Sequence, residues 1–289
     1  MTSETHIRLN EKIEKLSRWL SRLGHSFKKT SDPKRNKTAV CFVCHEINDE
    51  YIKRYKKLAE EKLINDDLYW VFCSSNTEPS INDDINLYII DKDQLGRYNV
   101  MTTYWQHESS AYHFECSLIF RNFYETCPNK YDYYWFIEYD AVCYGSWKSL
   151  FQTFDRSDSD FLASHMVKGL SNFWAKDTIT KTNIPINDRI RSFNPVCRLS
   201  SKAIDLLSNF QNNNCFGFFE VFIPTMLHYS GLKIEDIGGD GMFTKTENIN
   251  KFYIPLNGEN LGSMGWNEDI AKQYVDMSKR NNIILHPIK

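Results

Sequence analysis

Two carboxylates stand two residues apart in the segment YYWFIEYDAVCYG, which spans residues 133–145. Glu138 and Asp140 close a run of aromatic and aliphatic residues that is typical of a buried strand. Side chains at i and i+2 of a strand share one face, and Asp140 lies where the strand stops, so both groups can turn toward one ligand. Grouped carboxylates suit Mg²⁺ or Mn²⁺. The segment predicts a metal site, with a surface pair at a strand end as the alternative.

Two further side chains that could serve such a site come from the segment NNIILHPIK, residues 281–289. His286 follows a short apolar, strand-like run, and a neutral imidazole nitrogen is a common metal ligand. Lys289 carries a positive charge that can neutralise phosphate.

A third carboxylate, Glu220, interrupts a dense apolar run in NCFGFFEVFIPTMLHYSG, residues 214–231. The run has the pattern of a helix that begins near Glu220 and ends at Gly231. A buried carboxylate is costly without a partner or a task, and burial raises its pKa. The alternative is a structural Glu that bonds a buried backbone group or an Arg.

The elements that position these residues follow from the hydrophobic pattern after residue 37. Apolar strands alternate with helices, which predicts an α/β fold with a mainly parallel sheet covered on both faces. Ligands bind at the carboxyl edge of such sheets, where Glu138 and Asp140 emerge. The predicted strands are 38–46, 67–75, 86–92, 132–145, 159–168 and the first part of 190–210; the predicted helices are 47–64, 104–127 and the second part of 190–210, capped by Ser200 or Ser201.

The net charge of −2 conceals a basic N-terminal segment. Residues 1–37 hold ten Lys or Arg against four Asp or Glu, so the remainder carries −8. Residues 7–27 repeat apolar side chains at helical spacing, which predicts an amphipathic helix followed by a polar linker. It would pack on the domain or a second subunit, or lie on an anionic membrane surface. Nucleic-acid binding is not expected, since the main body is acidic.

The chain has the composition of a globular protein, with 42% hydrophobic residues and eight cysteines. It has no apolar run of membrane-spanning length and no secretory signal pattern. The cysteines lie mostly in apolar runs, which predicts that they are reduced core residues. Cys41 and Cys44 form a CxxC, but no second pair completes a zinc site. We therefore expect a cytoplasmic protein, at most peripheral to the inner face of the membrane.

Together, the motif YWFIEYDAVCYGSW and the segment LHPIK resemble glycosyltransferases of the GT-A fold, in a poorly characterised bacterial-type branch. The resemblance covers residues 38–289 in its order of elements, with a donor-binding half (38–145) and an acceptor half (146–289). It implies that Asp140 and His286 bind Mn²⁺ or Mg²⁺ directly, and that Glu138 does so through water or binds the donor ribose. Glu138 replaces the usual first Asp of the motif, which leaves its role open.

The resemblance also implies a reaction. Glu220 matches the acidic residue that deprotonates the acceptor hydroxyl in inverting members, with Asp240 of GGDG as the other candidate. In a retaining enzyme, neither residue would have this role. The donor would be a nucleotide-sugar, most commonly a UDP-sugar, and the acceptor a saccharide or lipid-linked glycan of a surface polysaccharide or capsule. Residues expected at the donor are His45, Glu46, Asp91, Arg97 and Lys289; those expected at the acceptor or the transferred sugar are Ser164, His165, Trp174 and Asp240.

Two other functions are open from the sequence. A metal-dependent nucleotidyl or phosphoryl transferase could use the same carboxylates, although no GxxxxGK[ST] phosphate loop is present. A non-catalytic sugar-nucleotide-binding or scaffold protein of a polysaccharide-synthesis complex is the other alternative. The segment 257–266, with three glycines, is expected to be a mobile loop over the donor phosphates.

Overall fold

The structure is a computed structural model that describes residues 36–74, 85–98, 116–170, 173–255, 262–265, 267–276 and 282–289. The described residues from Asn36 onward form one compact unit. The predicted amphipathic helix at 7–27, the first part of the predicted helix at 104–127 and most of the predicted loop at 257–266 lie outside the described residues.

Strands and helices alternate along the described chain, as the hydrophobic pattern predicts. The strands are β1 Thr38–Cys44, β2 Asp67–Ser74, β3 Leu87–Asp91, β4 Tyr133–Glu138, β5 Val142–Tyr144, β6 Phe161–Lys168, β7 Ile190–Ser200, β8 Ile234–Asp236 and β9 Ile283–Leu285. The helices are α1 Asp49–Glu61, α2 Lys92–Gly96, α3 Cys116–Thr126, α4 Trp147–Phe154, α5 Ser201–Asn212, α6 Phe219–Tyr229 and α7 Glu268–Gln273, with 3-10 turns at Ile186–Asp188 and Thr246–Asn248.

Seven of these strands form the central sheet, in the order β3-β2-β1-β4-β7-β6-β8. The strand pairs β1–β2, β2–β3, β1–β4 and β6–β8 are parallel, whereas β7 runs antiparallel between β4 and β6. The predicted α/β fold with a mostly parallel central sheet flanked by helices is therefore confirmed. A separate two-stranded ladder joins β5 to β9.

Both faces of the sheet are buried because successive side chains of each strand point to opposite sides. On β1, Val40 and Phe42 pack with α1 and α4, whereas Ala39 and Cys41 pack with α3, α5 and α6. Two-sided burial explains why the parallel strands read as continuous apolar runs. It also leaves the strand ends as the places where polar side chains emerge.

Local signals agree with the element boundaries near the site. Ser200 caps α5, since its hydroxyl oxygen accepts a hydrogen bond from the Ala203 N–H at 3.0 Å. Asn48 caps α1 in the same way, accepting from the Tyr51 N–H at 2.9 Å. Among the described residues, none of the helices combines the length and the apolarity needed to cross a bilayer.

Candidate functional site

The two segments predicted to hold a metal meet at the carboxyl edge of the sheet. Glu138 ends β4, and Asp140 lies in the turn that follows it. The short strand β5 starts two residues later and pairs antiparallel with β9, with Val142 opposite Leu285. This register places His286, the residue after β9, beside the turn that carries Asp140. The β5–β9 ladder is therefore the element that joins two parts of the chain almost 150 residues apart.

The three side chains converge on one point. The Nε2 atom of His286 lies 3.4 Å from Oε2 of Glu138 and 3.2 Å from Oδ1 of Asp140, and the ligand atoms all lie within 4.8 Å of one another. The other ring nitrogen, Nδ1, lies 2.8 Å from the carbonyl oxygen of Gly265. A carbonyl only accepts, so Nδ1 carries a proton, and Nε2 is the nitrogen that faces the carboxylates.

The electrostatics of the cluster follow from burial and from the opposite charges. Burial lowers the pKa of His286, but Asp140 and Glu138 outweigh this effect and raise the pKa to about 10. Burial raises the pKa of Asp140, and the hydrogen bond and positive charge of His286 more than offset it, so the pKa of Asp140 lies below its usual range. The two carboxylates thus favour positive charge next to Nε2 of His286.

The residues present fit a divalent cation. Two carboxylates and one imidazole form a donor set that suits Mn²⁺ or Mg²⁺, which keep further positions for phosphate oxygens and water. Asp140 and His286 are buried, whereas the Glu138 side chain is one-third exposed. This difference agrees with direct contacts from the first two residues and leaves Glu138 open to solvent and to a ligand.

Glu220 lies in the first turn of α6 and is 3% exposed. Helix α6 packs mainly on β7, the strand next to β4, and Glu220 is close enough to Glu138 to be affected by its charge. Burial, followed by the negative charge of Glu138, raises the pKa of Glu220 well above its usual range. Its Oε1 atom has no hydrogen-bond partner among the described residues. The prediction that Glu220 is a buried carboxylate at a helix start is confirmed, and its role stays a prediction.

Asn194 is a residue of the site that the sequence analysis did not single out. It is 2% exposed on β7, and its backbone N–H lies against the Glu220 carboxyl group. The Ser192 hydroxyl donates to Oδ1 of Asn194 at 2.6 Å, which orients the amide, and Nδ2 has no partner among the described residues. The Asn194 backbone thus lies next to the Glu220 carboxyl group, and its side chain adds a buried amide donor on the same strand. The available signal was an Asn inside an apolar strand, in SFNPVC.

Ser164 and His165 occupy the middle of β6, but their side chains have different environments. Ser164 is fully buried, and its hydroxyl donates to the Phe193 carbonyl at 2.8 Å. His165 is half-buried with a left-handed backbone, φ 51°, and its ring packs on Tyr253 with centroids 4.3 Å apart. Phe193 contacts both the His165 and the His286 rings. A sugar contact by either residue stays a prediction.

The backbone around His165 is held by the buried carboxylate of Asp236. Its oxygens accept hydrogen bonds from the N–H groups of Met166, Gly238 and Gly239 at 2.8–2.9 Å, and from the Tyr253 hydroxyl at 2.9 Å. Glycine is required at 239, because a Cβ there would lie 2.2 Å from the Tyr253 hydroxyl oxygen. This contact explains the second glycine of the GGDG motif.

Replacing Asp236 by Asn is therefore expected to destabilise the protein by about 2–3 kcal/mol, since an amide NH₂ cannot accept the bonds that one carboxylate oxygen receives. Urea denaturation would measure the loss. Asp240→Asn is the matched control, because this neighbouring carboxylate is exposed and its change should stay within about 0.5 kcal/mol. Equal stability of the two variants would contradict the role of Asp236.

Two residues of the predicted donor site lie beside the carboxylates. His45 and Glu46 follow β1 and are exposed at the same edge of the sheet. The His45 ring contacts that of Tyr139, the residue between Glu138 and Asp140, with centroids 4.8 Å apart. Asp91 ends β3, and its side chain lies outside the described residues. The structure thus brings His45 to the metal motif, and donor contacts by these residues stay a prediction.

The two predicted phosphate-binding cations have different surroundings. The Arg97 guanidinium donates to the Tyr98 hydroxyl at 2.7 Å and lies 3.9 Å from Glu125, within a surface cluster. Lys289 is exposed, its backbone N–H donates to Glu268, and its charge contributes to lowering the pKa of Asp140. Lys289 is therefore near the candidate metal site. Phosphate binding by Arg97 and by Lys289 stays a prediction.

The remaining acceptor candidates are surface residues. Trp174 is 63% exposed, and its ring packs on Phe218, just before α6, with centroids 4.7 Å apart. Trp174 is thus linked to the start of the helix that carries Glu220. Asp240 is exposed in the loop after β8. Their contacts with a sugar stay predictions.

No protein-family model matches the chain, and no curated protein sequence matches it. Among solved structures, it is similar to mouse xyloside xylosyltransferase 1 in its apo form, with 10% identity and a TM-score of 0.44 over 86% of this chain and 96% of that chain. It is similar to the galactosyltransferase LgtC in complex with donor and acceptor sugar analogues, with 12% identity and a TM-score of 0.45 over 84% and 96%. It is also similar to the mannosyltransferase Ktr4p from S. cerevisiae, with 11% identity and a TM-score of 0.38 over 72% and 70%. At these identities and TM-scores, the similarities do not assign a function to this chain.

Proposed function

We propose that this chain is a metal-dependent glycosyltransferase of the GT-A type that moves a sugar from a nucleotide-sugar to an acceptor hydroxyl. The observation that supports the proposal is the meeting of Glu138, Asp140 and His286 at the carboxyl edge of the sheet, with Glu220 buried alongside. The edge of an α/β sheet is where nucleotides bind. The EYD motif and the LHPIK segment, on which the family resemblance depends, are the parts that come together.

Asp140 and His286 would hold Mn²⁺ or Mg²⁺, with Glu138 contributing directly or through water. A bound divalent cation supplies charge neutralisation for a diphosphate leaving group. Lys289 adds positive charge at the same place. The other residues proposed for the donor, with UDP-sugar as the first candidate, are His45, Glu46, Asp91 and Arg97.

Glu220 would take the proton from the acceptor hydroxyl as the hydroxyl oxygen attacks the anomeric carbon, which gives inversion. A sugar hydroxyl is a weak nucleophile until a base removes its proton. The unpartnered Oε1 of Glu220 is the acceptor atom for that proton. Asn194, whose backbone N–H lies against Glu220, is proposed to donate from Nδ2 to the same sugar. Ser164, His165, Trp174 and Asp240 are proposed as further contacts for the acceptor or the transferred sugar.

The acceptor proposed is a saccharide or a lipid-linked glycan of a surface polysaccharide, such as a capsule. Support comes from the basic segment at residues 7–27, whose charge would favour contact with an anionic membrane. The reaction would then take place in the cytoplasm, at the inner face of the membrane. Residues 7–27 lie outside the described part of the chain, so this step depends on the sequence.

The experiment that tests the proposal is a thermal-shift screen of nucleoside diphosphates and sugar nucleotides, each with and without Mn²⁺. A ligand at 100 times its Kd stabilises the folded state by about 2.7 kcal/mol, which raises Tm by several degrees in a domain of this size. We expect one nucleotide to raise Tm only with Mn²⁺ in the wild type and in Glu60→Ala, an exposed control on α1. Asp140→Ala should lose this shift.

The products separate the proposal from the two alternatives. A glycosyltransferase releases a nucleoside diphosphate from its sugar nucleotide, whereas a nucleotidyl transferase releases pyrophosphate and a phosphoryl transferase releases ADP. A Mn²⁺-dependent shift without any product in the presence of saccharide acceptors would favour a binding protein. No shift with any nucleotide, in folded protein, would remove the proposed function.

A further inference from the structure

Arg54 of α1 binds both segments that carry the candidate metal ligands. Its Nη1 group donates to the carbonyl oxygen of Tyr139 at 3.0 Å and to that of Ile288 at 2.7 Å. Nη1 carries two N–H groups, so one nitrogen can serve both acceptors. The side chain is only 11% exposed, and its Nε lies 3.3 Å from Oε1 of Glu50, one helical turn earlier. The guanidinium is therefore held on one side by the helix and on the other by two backbone carbonyls.

The two carbonyls lie next to the ligands along the chain. Tyr139 stands between Glu138 and Asp140, and Ile288 is two residues after His286. The Ile288 N–H donates in turn to the Asp140 carbonyl at 2.9 Å. A side chain that bonds both carbonyls thus helps to fix the spacing of the ligand atoms, which decides whether one cation can contact all of them.

Helix α1, which carries Arg54, is held in place by its cap and its packing. It begins at the Asn48 cap, and its buried residues Tyr51 and Leu58 pack against the sheet. The Arg54 guanidinium also lies over the Tyr51 ring, 5.5 Å from its centroid. The planar group is pre-organised, so little conformational entropy is lost for each hydrogen bond it makes. Within the described part of the chain, the contacts of Arg54 are with Glu50, the Tyr51 ring and the two carbonyls, and not with the side chains of the candidate metal ligands.

We propose that Arg54 is a positioning residue for the metal site: it joins the turn after β4 to the segment after β9 and sets the distance between Asp140 and His286. The proposal rests on the proposed function, because it assigns Arg54 to the same site. It makes the metal affinity depend on a residue that does not touch the metal. Outer partners of this kind typically contribute 10–100-fold to affinity.

The test compares Arg54→Met with Lys53→Met in the full chain, with Mn²⁺ alone as the probe. Lys53 is the neighbouring cation on α1, and its side chain is 81% exposed. Among the described residues it forms an ion pair with Glu50 at 3.9 Å and does not bind the Tyr139 or Ile288 carbonyl, so its change leaves the Arg54 hydrogen bonds in place. Titration followed by the EPR signal of free Mn²⁺ should give a Kd at least about 10-fold higher for Arg54→Met and a Kd within twofold of wild type for Lys53→Met. Hydrogen exchange of residues 283–289 in metal-free protein should be faster in Arg54→Met alone.

The outcomes distinguish this inference from the function on which it rests. Wild type that binds no Mn²⁺ would remove the metal site and this inference with it. Wild type that binds Mn²⁺, together with Arg54→Met of equal affinity and equal exchange at 283–289, would overturn the inference and leave the proposed function intact. If Arg54→Met fails to fold, Arg54→Lys and Glu50→Gln are tested in its place. Weaker Mn²⁺ binding in either variant supports the positioning role of Arg54, and wild-type affinity in both overturns it.

Discussion

Replacing Asp140 by Asn is expected to weaken Mn²⁺ binding at least about 100-fold and to lower kcat/KM for sugar transfer about 1,000-fold, or about 4 kcal/mol of transition-state stabilisation. The change keeps the shape of the side chain but removes its negative charge. Asp140 is buried and lies 3.2 Å from Nε2 of His286, so no water can easily replace the lost carboxylate. The same substitution also removes the partner that holds the pKa of His286 high.

Glu138→Gln is the matched comparison, since it makes the same chemical change two residues earlier. The Glu138 side chain is one-third exposed, and water can take over part of its role, so a loss of Mn²⁺ affinity of about 10-fold is expected. EPR titration of Mn²⁺ gives both affinities without a substrate, and release of nucleoside diphosphate gives the activity. Metal-free urea curves serve as the control for folding.

The difference in Mn²⁺ affinity between the two variants tests the metal-binding roles given to Asp140 and Glu138. Asp140→Asn that binds Mn²⁺ within threefold of wild type would show that Asp140 is not a ligand. A larger loss in Glu138→Gln than in Asp140→Asn would reverse the roles given to the two carboxylates. Equal and small losses of Mn²⁺ affinity in both variants would mean that the two carboxylates are only a surface pair at a strand end, the alternative that the sequence also allows.

The sequence predicts six of the seven strands of the central sheet, because burial on both faces leaves a signal along each of them; β8, with three residues, was not predicted. The runs around Phe42, Trp70 and Phe136 are apolar throughout, and each ends where the chain leaves the sheet. The position of Glu138 and Asp140 at a carboxyl edge follows from this signal alone. The predicted helix start at Glu220 is equally local, because it depends on one polar residue in a dense apolar run.

The order of the strands and the meeting of the ligands required long-range contacts that no local pattern encodes. Strands β5 and β9 have three residues each, too few to show a period, yet their pairing brings His286 to Asp140. From the sequence, His286 was a possible metal ligand by its residue type and position, and only the family resemblance placed it beside Asp140. The antiparallel insertion of β7 between β4 and β6 likewise has no signature in its own residues.

Three polar residues that shape the site were missed for the same reason. Asn194 and Arg54 stand among residues that give a clear strand or helix pattern, which a single polar side chain does not change. Asp236 ends a strand of three residues, too short to show a pattern. Their functions are defined by partners far along the chain: the Glu220 carboxyl group for Asn194, Tyr253 for Asp236, and the carbonyls of Tyr139 and Ile288 for Arg54. Only the folded structure identifies those partners.

Glu220→Gln is expected to lower the rate of sugar transfer by about 100- to 10,000-fold while leaving Mn²⁺ and nucleotide binding within about threefold of wild type. The amide has nearly the same shape but cannot take a proton from the acceptor hydroxyl. Because burial and the charge of Glu138 raise the pKa of Glu220, the folded protein favours its neutral form, which glutamine imitates. The free energy of unfolding should therefore be unchanged or slightly higher, unlike the loss expected for most buried substitutions.

The pH dependence gives this prediction a second readout. A base acts in its deprotonated form, so the wild-type rate should fall on the acidic side as the pH passes below the raised pKa of Glu220, and this fall should be absent from the residual activity of Glu220→Gln. The control is Glu247→Gln, an exposed glutamate whose loss should change neither rate nor profile. Transfer within threefold of wild type in Glu220→Gln, with the acidic fall retained, would exclude Glu220 as the base and direct the search to Asp240. Loss of nucleotide binding along with loss of transfer would make Glu220 a donor-binding residue. A base acts on the acceptor and leaves the affinity for the donor unchanged.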